Sequence, residues 1–141
     1  MGAMTWTCPA CGRTFARTRQ SHGCSPALGV DEYFRTGPAF ERPVFDAVCA
    51  HFRPMGDVRI EAVQVGIFFK RARTFAELRP MRDRVRLSLL MSRDVDSTRV
   101  VRRLGTSGRR ALFFDLRHPD DVDDEIKGWL TESYLSSPPA G

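Results

Sequence analysis

Several residue types are scarce in this sequence, and their scarcity excludes some classes of protein. The 141 residues include no asparagine and only two lysines, so arginine supplies 20 of the 22 basic side chains. This bias is typical of high-GC coding sequences, and it contributes to the net charge of +5 without requiring an acidic partner. No run of about 18 apolar residues occurs, which excludes a transmembrane helix and argues against a membrane partner.

Cysteine usage argues against an extracellular protein. The chain has four cysteines, of which three lie near the N-terminus together with a histidine, while Cys49 stands apart. This grouping does not suit a disulfide framework and favours the reducing cytoplasm. The N-terminus shows no basic segment followed by an apolar one, so a secretory signal peptide is not expected.

The residue patterns that enzymes commonly use are also missing. No nucleophile stands beside a recognisable base, and residues 105–108 lack the lysine of a phosphate-binding loop. His51 and His118 are expected at helix ends, Cys49 in the core, and the acids of 120–125 at a helix start. We therefore predict a non-enzymatic protein. The alternative to this prediction is an enzyme or small-molecule binder that uses a cleft between the sheet and the linker.

The strongest motif is a set of metal ligands at the N-terminus. Cys8-Pro9-Ala10-Cys11-Gly12 is followed by His22 and Cys24, which places four ligands within 17 residues. The Cys-x2-Cys half turns two thiolates to one side of a tight turn, and Gly12 can adopt the positive φ that this turn needs. His22 and Cys24 face one side of an extended loop. We predict a closed Zn²⁺ site, which is structural because protein groups fill all four positions.

The size of this segment explains why a metal is expected. About 20 residues cannot bury enough apolar surface to fold alone, so bound zinc would supply the missing stability. The alternative is a redox-active pair of Cys8 and Cys11. That pair would require a βαβ context, and the few preceding residues cannot form its first strand.

Hydrophobic periodicity predicts an α+β domain after this segment. Apolar residues recur at helical spacing over 41–53, alternating patterns follow, and a final helix is predicted over 119–135. We predict a two-layer sandwich, in which a mostly antiparallel sheet of four or five strands carries helices on one face. Strands are predicted over 58–62, 66–70, 74–79, 84–89 and 111–116, and a short helix over 96–101.

These elements divide the chain into four parts. Before the domain, a helical turn is expected to pack Tyr33 or Phe34 against it. The predicted parts are a zinc-binding segment over 1–24, a linker over 25–38, the α+β domain over 39–136 and a short tail over 137–141.

The positive charge is concentrated in one part of the chain. Residues 70–117 hold 14 basic and 5 acidic residues, a local charge of +9, whereas residues 119–141 hold six acids and only Lys127. A basic row on one sheet face would bind the phosphates of DNA or RNA in a salt-dependent, sequence-tolerant manner. The competing interpretation is a solvated, arginine-rich surface. The candidate nucleic-acid-binding residues are Arg13, Arg17, Arg19, Arg79, Arg84 and Arg86.

The same features also suit a second function. In a protein-interaction or regulatory module, zinc would order a docking surface for a protein partner. The sequence leaves this alternative open beside nucleic-acid binding.

Two parts of the chain resemble a known family. Trp6-x-Cys-Pro-x-Cys-Gly-Arg-x-Phe15 and His22-x-Cys24 resemble the N-terminal metal segment of small actinobacterial proteins of unknown function. In those proteins the segment precedes domain of unknown function 5655, which Phe75-Ala-Glu-Leu-Arg-Pro80 and Leu116-Arg-x-Pro-Asp-Asp-Val-Asp123 resemble in turn. Elsewhere this domain ends larger proteins, some with nuclease-like N-terminal regions, and the resemblance therefore implies nucleic acid as a partner.

Overall fold

A computed structural model describes residues 5–20, 22, 24, 28–106 and 108–139. Within these residues, two short strands precede three α-helices and six longer strands. The short strands are β1 (Trp6–Thr7) and β2 (Thr14–Phe15), and the helices are α1 (Val30–Phe34), α2 (Glu41–Phe52) and α3 (Asp124–Leu135). The longer strands are β3 (Arg59–Val63), β4 (Gly66–Lys70), β5 (Thr74–Pro80), β6 (Val85–Met91), β7 (Val100–Thr106) and β8 (Arg109–Leu116).

The longer strands form one sheet. In the described part of the chain its order is β3-β4-β5-β6-β8-β7, and every neighbouring pair is antiparallel. The predicted α+β class with an antiparallel sheet is confirmed. The predicted number of four or five strands is wrong, because a sixth strand lies at one edge.

The unexpected strand is β7. The sequence predicted a short helix over 96–101, but residues 98–99 form a turn and β7 begins at Val100. Val100 is the only buried residue among the seven of this strand, so its sequence shows no apolar alternation. The strand exists because it pairs with β8, a tertiary contact that local propensity does not report.

Two helices cover one face of the sheet, which we call the inner face. Phe52 of α2 packs against Phe69 and Phe75, with ring centroids 5.6 and 5.4 Å apart. Trp129 of α3 stacks on Phe114 at 5.0 Å. These aromatic contacts lie in the main hydrophobic core.

The helix ends explain the acidic cluster. Asp123 accepts a hydrogen bond from the Ile126 N–H at 3.1 Å and begins α3, while Asp121 accepts from the N–H of His118 at 3.2 Å in the preceding 3-10 turn. These acids therefore serve as caps, as the sequence indicated. Helices α2 and α3 have 12 residues each, and no helix in the described residues is long and apolar enough to cross a membrane.

The opposite side of the sheet, the outer face, carries polar and aromatic side chains. Strand register places one row of neighbours across the whole sheet, from β3 at one edge to β7 at the other. In this order the row consists of Glu61, Phe68, Glu77, Ser88, Phe113 and Arg102.

Candidate metal centre and the adjoining outer face

The turn between β1 and β2 carries the first pair of metal ligands. Trp6 pairs with Phe15 across the two strands, and the N–H of Gly12 donates to the Cys8 carbonyl oxygen at 2.8 Å. Gly12 has a φ of 74°, a conformation that glycine adopts at little cost. This turn leaves Cys8 and Cys11 buried side by side, with exposed fractions of 5% and 7%.

His22 and Cys24 complete the cluster. The Sγ atom of Cys8 lies 3.6 Å from that of Cys24, and Cys11 Sγ lies 3.5 Å from His22 Nε2. All four ligand atoms lie within 4.8 Å of one another. Bonds of about 2.3 Å to sulfur and about 2.0 Å to nitrogen place tetrahedral ligands about 3.5–3.8 Å apart, which matches the two shorter separations. The four side chains therefore lie close enough to bind one metal ion.

A backbone carbonyl orients the imidazole of His22. Its Nδ1 atom lies 2.6 Å from the carbonyl oxygen of Gln20. Because a carbonyl oxygen can only accept, Nδ1 carries the proton and Nε2 presents its lone pair to the cluster. No residue pattern indicated this contact, because it depends on how the folded chain brings the Gln20 carbonyl beside His22.

Aromatic rings pack beneath the ligands. Phe15 stacks on His22 with centroids 4.0 Å apart, and Trp6 meets the same ring edge-on at 6.2 Å. Among the residues that the structure describes in this segment, the buried apolar cluster contains only Cys8, Cys11 and Phe15, with Trp6 packed against it. Such a small core cannot stabilise the segment, so the ligand set is the natural source of the missing stability.

The thiols of the cluster differ in acidity. Burial raises the pKa of Cys8, but the N–H groups of Cys11 and Ala10 stabilise its thiolate and bring the pKa down to about 6. Hydrogen bonds shared with Cys8 and Cys11 raise the pKa of Cys24 to about 11. A divalent cation would favour the thiolate form of each of the three cysteines.

A buried ion-pair network fastens the segment to the outer face. Glu61 of β3 accepts from Lys70 Nζ at 2.7 Å and from Arg13 Nε at 3.3 Å, and its second oxygen accepts from the Thr14 N–H at 3.1 Å. Lys70 also donates to the Thr14 carbonyl at 2.7 Å and lies 4.3 Å from the Phe15 ring centroid. One carboxylate thus connects β2 to β3 and β4.

Arg13 is part of this buried network and contacts other side chains of the protein. Arg13 is 7% exposed, and its guanidinium carbon lies 5.3 Å from the Phe15 centroid and 5.1 Å from that of Phe68. Its charge faces Glu61, which argues against the predicted nucleic-acid contact at this position. The sequence did not reveal the pairing of Glu61 with Lys70, because only the register of β3 and β4 brings them together.

The other two predicted arginines near the metal ligands are exposed. Arg17 and Arg19 lie on the loop after β2, and Arg19 has a φ of 56°. Neither side chain forms an ion pair with the residues that the structure describes. Their charges therefore face solvent beside the cluster.

Three further predicted arginines come together on the outer face. Arg79 and Arg86 are direct partners on β5 and β6, and Arg84 immediately precedes β6. Arg79 pairs with Glu77 at 3.0 Å, while Arg84 and Arg86 pair with Asp115 at 3.3 and 3.0 Å. These acidic neighbours offset part of the charge that the sequence predicted for this face.

An arginine and an aromatic ring complete this part of the face. Arg102 is exposed, and its guanidinium carbon lies 5.7 Å from the ring centroid of Phe113, which is half-buried. Both residues line an open depression of about 420 Å³ together with Arg79 and Arg86. Arg102 belongs to the basic stretch over 70–117, but its contact with Phe113 requires the register of β7 on β8.

A buried carboxyl group that the sequence analysis missed lies near α1. Glu41 is 2% exposed, and the Tyr33 hydroxyl donates to it at 2.6 Å. Burial raises the pKa of Glu41 and also that of Tyr33. Both side chains line a cavity of about 170 Å³ with Gln64. A glutamate in the first turn of a helix is ordinary in a sequence, so no pattern distinguished it.

Comparison with known proteins identifies the larger part of the chain. The model of a family described as Domain of unknown function (DUF5655) matches residues 30–137. No match was found among curated proteins or among solved structures. The metal ligands precede the matched range, whereas the sheet and its outer face lie within it. Because the match covers more than half of the 141 residues, the chain belongs to the DUF5655 family, whose function is unknown.

Proposed function

We propose that the four-ligand cluster holds one structural Zn²⁺ ion. Three thiolates and one imidazole form a common set for tetrahedral zinc, and the orientation of His22 by Gln20 supports this coordination. Protein side chains occupy all four positions and leave none for a reacting water. We place the protein in the cytoplasm, where reducing conditions keep such thiols available for zinc.

Metal analysis tests this assignment. Mass spectrometry of protein purified without added zinc is expected to find one zinc per chain. Cys24→Ser should lower that content, whereas Cys49→Ser, which changes a thiol outside the cluster, should leave it unchanged. Iron in place of zinc, or full zinc content in Cys24→Ser, would contradict the proposal.

We further propose that the outer face binds single-stranded nucleic acid without catalysing a reaction. The observation that carries this proposal is the depression that Arg79, Arg86 and Arg102 line together with Phe113, with Glu77 as its acidic side chain. Open sheet faces bind single strands by stacking bases on aromatic rings and arginine planes, while cations contact the phosphates. Arg102, whose guanidinium carbon lies 5.7 Å from the centroid of the half-buried Phe113 ring, supplies both elements of such a site together with that ring.

The position of the zinc segment supports the same proposal. The segment contacts the outer face over β3 and β4 through Glu61, Phe68 and Lys70. The depression lies on the other strands, β5, β6, β8 and β7. The segment therefore borders the proposed site, and its exposed Arg17 and Arg19 add positive charge on that side of the sheet.

Binding of labelled oligonucleotides tests the nucleic-acid proposal. Fluorescence anisotropy at low salt should show tighter binding of single-stranded DNA or RNA than of a duplex. Phe113→Ala should weaken single-strand binding by about 1–3 kcal/mol, because a stacking surface is lost. Phe113→Tyr keeps that surface and should bind like the natural protein. Absence of binding to both DNA and RNA, or salt-insensitive binding, would refute the proposal.

A second candidate function is binding of a protein partner at strand β7. Val101 and Leu104 of this edge strand are 47% and 44% exposed, and β7 pairs with β8 alone among the described strands. Exposed edge strands can add a strand from another chain. Co-purification of one stoichiometric protein free of nucleic acid, lost in Leu104→Lys, would favour this function over nucleic-acid binding.

A further inference from the structure

A second cationic site lies at one end of the sheet, on the side of the helices. A small cavity of about 60 Å³ is enclosed by the turn before β5, the end of β6, the start of β8 and the last turn of α3. Its apolar floor includes Phe75 and Met91, and its polar wall includes Arg73, Arg109 and Ser137. One water needs about 10–15 Å³ measured in this way, so the cavity has room for a small polyatomic ion.

Two hydrogen-bond donors in this cavity lack partners. Arg73 Nε and Ser137 Oγ are buried, and neither forms a hydrogen bond within the described residues. Ser137 as a whole is only 5% exposed. Buried donors are normally satisfied, and leaving one unpaired destabilises the folded protein. A ligand that accepts hydrogen bonds would remove this destabilisation.

The carboxyl end of α3 does not need Arg73 as a cap. Arg71 already donates to the carbonyl oxygens of Tyr134 and Ser137 at 3.0 and 2.9 Å. Arg73 and Arg109 form no ion pair within the part of the chain that the structure describes. Two guanidinium groups therefore line one cavity, and no acidic side chain is among the described residues that line it.

The electrostatics of this pair point in the same direction. Burial lowers the pKa of Arg73, and the positive charge of Arg109 lowers it further. Holding two like charges together in a partly enclosed space is unfavourable, and an anion between them would reverse the sign of this interaction. The carboxylate partners that accompany the outer-face arginines have no counterpart here.

We propose that this cavity binds a phosphate-sized oxyanion between Arg73 and Arg109, with Ser137 as a further donor. A doubly charged tetrahedral anion matches two guanidinium groups in charge and offers enough oxygens for all three side chains. A carboxylate offers one charge and two oxygens. The ligand is either a free anion or the phosphoryl group of a larger molecule, and the site is independent of the proposed outer-face function.

Inorganic phosphate is the first probe. At equal ionic strength, phosphate and sulfate should raise the melting temperature of the full chain more than acetate does, because a ligand stabilises the folded state that binds it. Isothermal titration calorimetry should show that Arg73→Gln and Arg109→Gln each weaken phosphate binding about tenfold or more. Arg82→Gln removes an exposed arginine outside the cavity and should leave the affinity unchanged.

Folding of the variants is checked without ligand. Arg109 is exposed, so Arg109→Gln should fold normally, and Arg73→Gln should be at least as stable as the natural chain because a like-charge contact is removed. Phosphate affinity that survives both substitutions but is lost in Arg102→Gln would overturn the proposal, since the anion would then bind on the outer face. Equal effects of phosphate and acetate would also overturn it.

The source of the oxyanion is distinguished with short oligonucleotides. In the Phe113→Ala background, where the proposed stacking surface is absent, a 5′-phosphorylated oligonucleotide is compared with its 5′-hydroxyl form. Preference for the phosphorylated form that disappears in Arg73→Gln supports a nucleic-acid terminus as the ligand. Equal binding of the two forms, with phosphate affinity retained, supports the free anion.

Discussion

At the residue scale, Glu61 is the side chain on which the N-terminal segment depends. It accepts hydrogen bonds from Lys70, Arg13 and the Thr14 N–H, and Lys70 is only 1% exposed. Glu61→Gln would leave the buried Lys70 ammonium without the carboxylate that pairs with it, a change that typically costs about 3–5 kcal/mol. We expect the free energy of unfolding of the zinc-loaded protein to fall by about 3 kcal/mol, measured by urea denaturation followed by circular dichroism.

A second glutamate on the same face is the matched control. Glu77 pairs with Arg79, whose side chain is 49% exposed. Pairs of this kind contribute about 0–1 kcal/mol, so Glu77→Gln should lower the free energy of unfolding by less than about 1 kcal/mol. Equal losses in the two variants would show that the buried network has no special role in docking the segment.

Glu41 is the residue whose titration should be visible in the stability of the fold. Burial raises its pKa above the ordinary 4.5, and the hydrogen bond from Tyr33 offsets only part of this effect. The folded protein therefore binds this proton more tightly than the unfolded chain. The resulting stability is fully present below pH 4.5 and is lost as the pH rises through the folded pKa.

Replacement of this carboxyl tests the assignment. Glu41→Gln has no ionisable group at this position, so its free energy of unfolding should decline less than that of the natural protein as the pH rises above 4.5. Thermal denaturation across a pH series measures this decline for both proteins. Destabilisation by the same amount at every pH would indicate that the carboxylate is ionised and well compensated in the natural protein.

The residue scale also shows what the sequence can reveal about a site. Cys8, Cys11, His22 and Cys24 were predicted as a cluster because their residue types and spacing already carry ligand chemistry, and the structure brings them together. The carboxylate of Glu61 was not predicted. Its role depends on which strand lies beside β3 and on what covers the outer face, and neither is a property of the local sequence.

At the element scale, the elements with a clear local pattern were predicted, whereas the strand that depends on a tertiary contact was missed. Strand β6 was predicted from an alternating pattern, and its alternating residues Val85, Leu87 and Leu89 face the core and are fully buried. Strand β7 was missed because Arg102 and Arg103 interrupt any such alternation. An edge strand with one buried residue is held by backbone pairing, which leaves little trace in the sequence.

The N-terminal segment and the six-stranded sheet are expected to respond differently to metal removal. The segment with β1 and β2 buries few side chains of its own, whereas β6 and β8 lie in the main core. After chelation, hydrogen exchange should accelerate at the Cys8 and Gly12 amides, whose hydrogen bonds close the turn. Amides of Leu87 and Phe114 should keep their protection.

The same experiment contains its own internal control. Protection of β6 and β8 reports the sheet domain directly, so a general loss of structure is distinguished from local undocking. If those strands lost protection together with the segment, the chain would behave as one cooperative unit, and zinc would stabilise the whole fold.

At the scale of the whole molecule, two different features of the chain would attract a polyanion. One is the net charge of +5, which acts over a distance and is screened by salt. The other is the set of three arginines that line the outer-face depression together with Phe113. The first attraction is shared by every surface arginine, whereas the second requires contact between particular guanidinium groups and phosphates.

Salt dependence separates these attractions. If three arginines contact phosphates, a plot of log affinity for single-stranded nucleic acid against log salt should have a slope of about −2. Arg102→Gln should reduce the magnitude of this slope by about 0.7, because one phosphate contact is lost. Arg53→Gln removes the same charge from an exposed position at the end of α2, on the opposite side of the sheet, and should leave the slope unchanged. Anisotropy titrations across a salt series measure all three slopes. Equal reductions in the two variants would show that net charge, and not the depression around Phe113, attracts the polyanion.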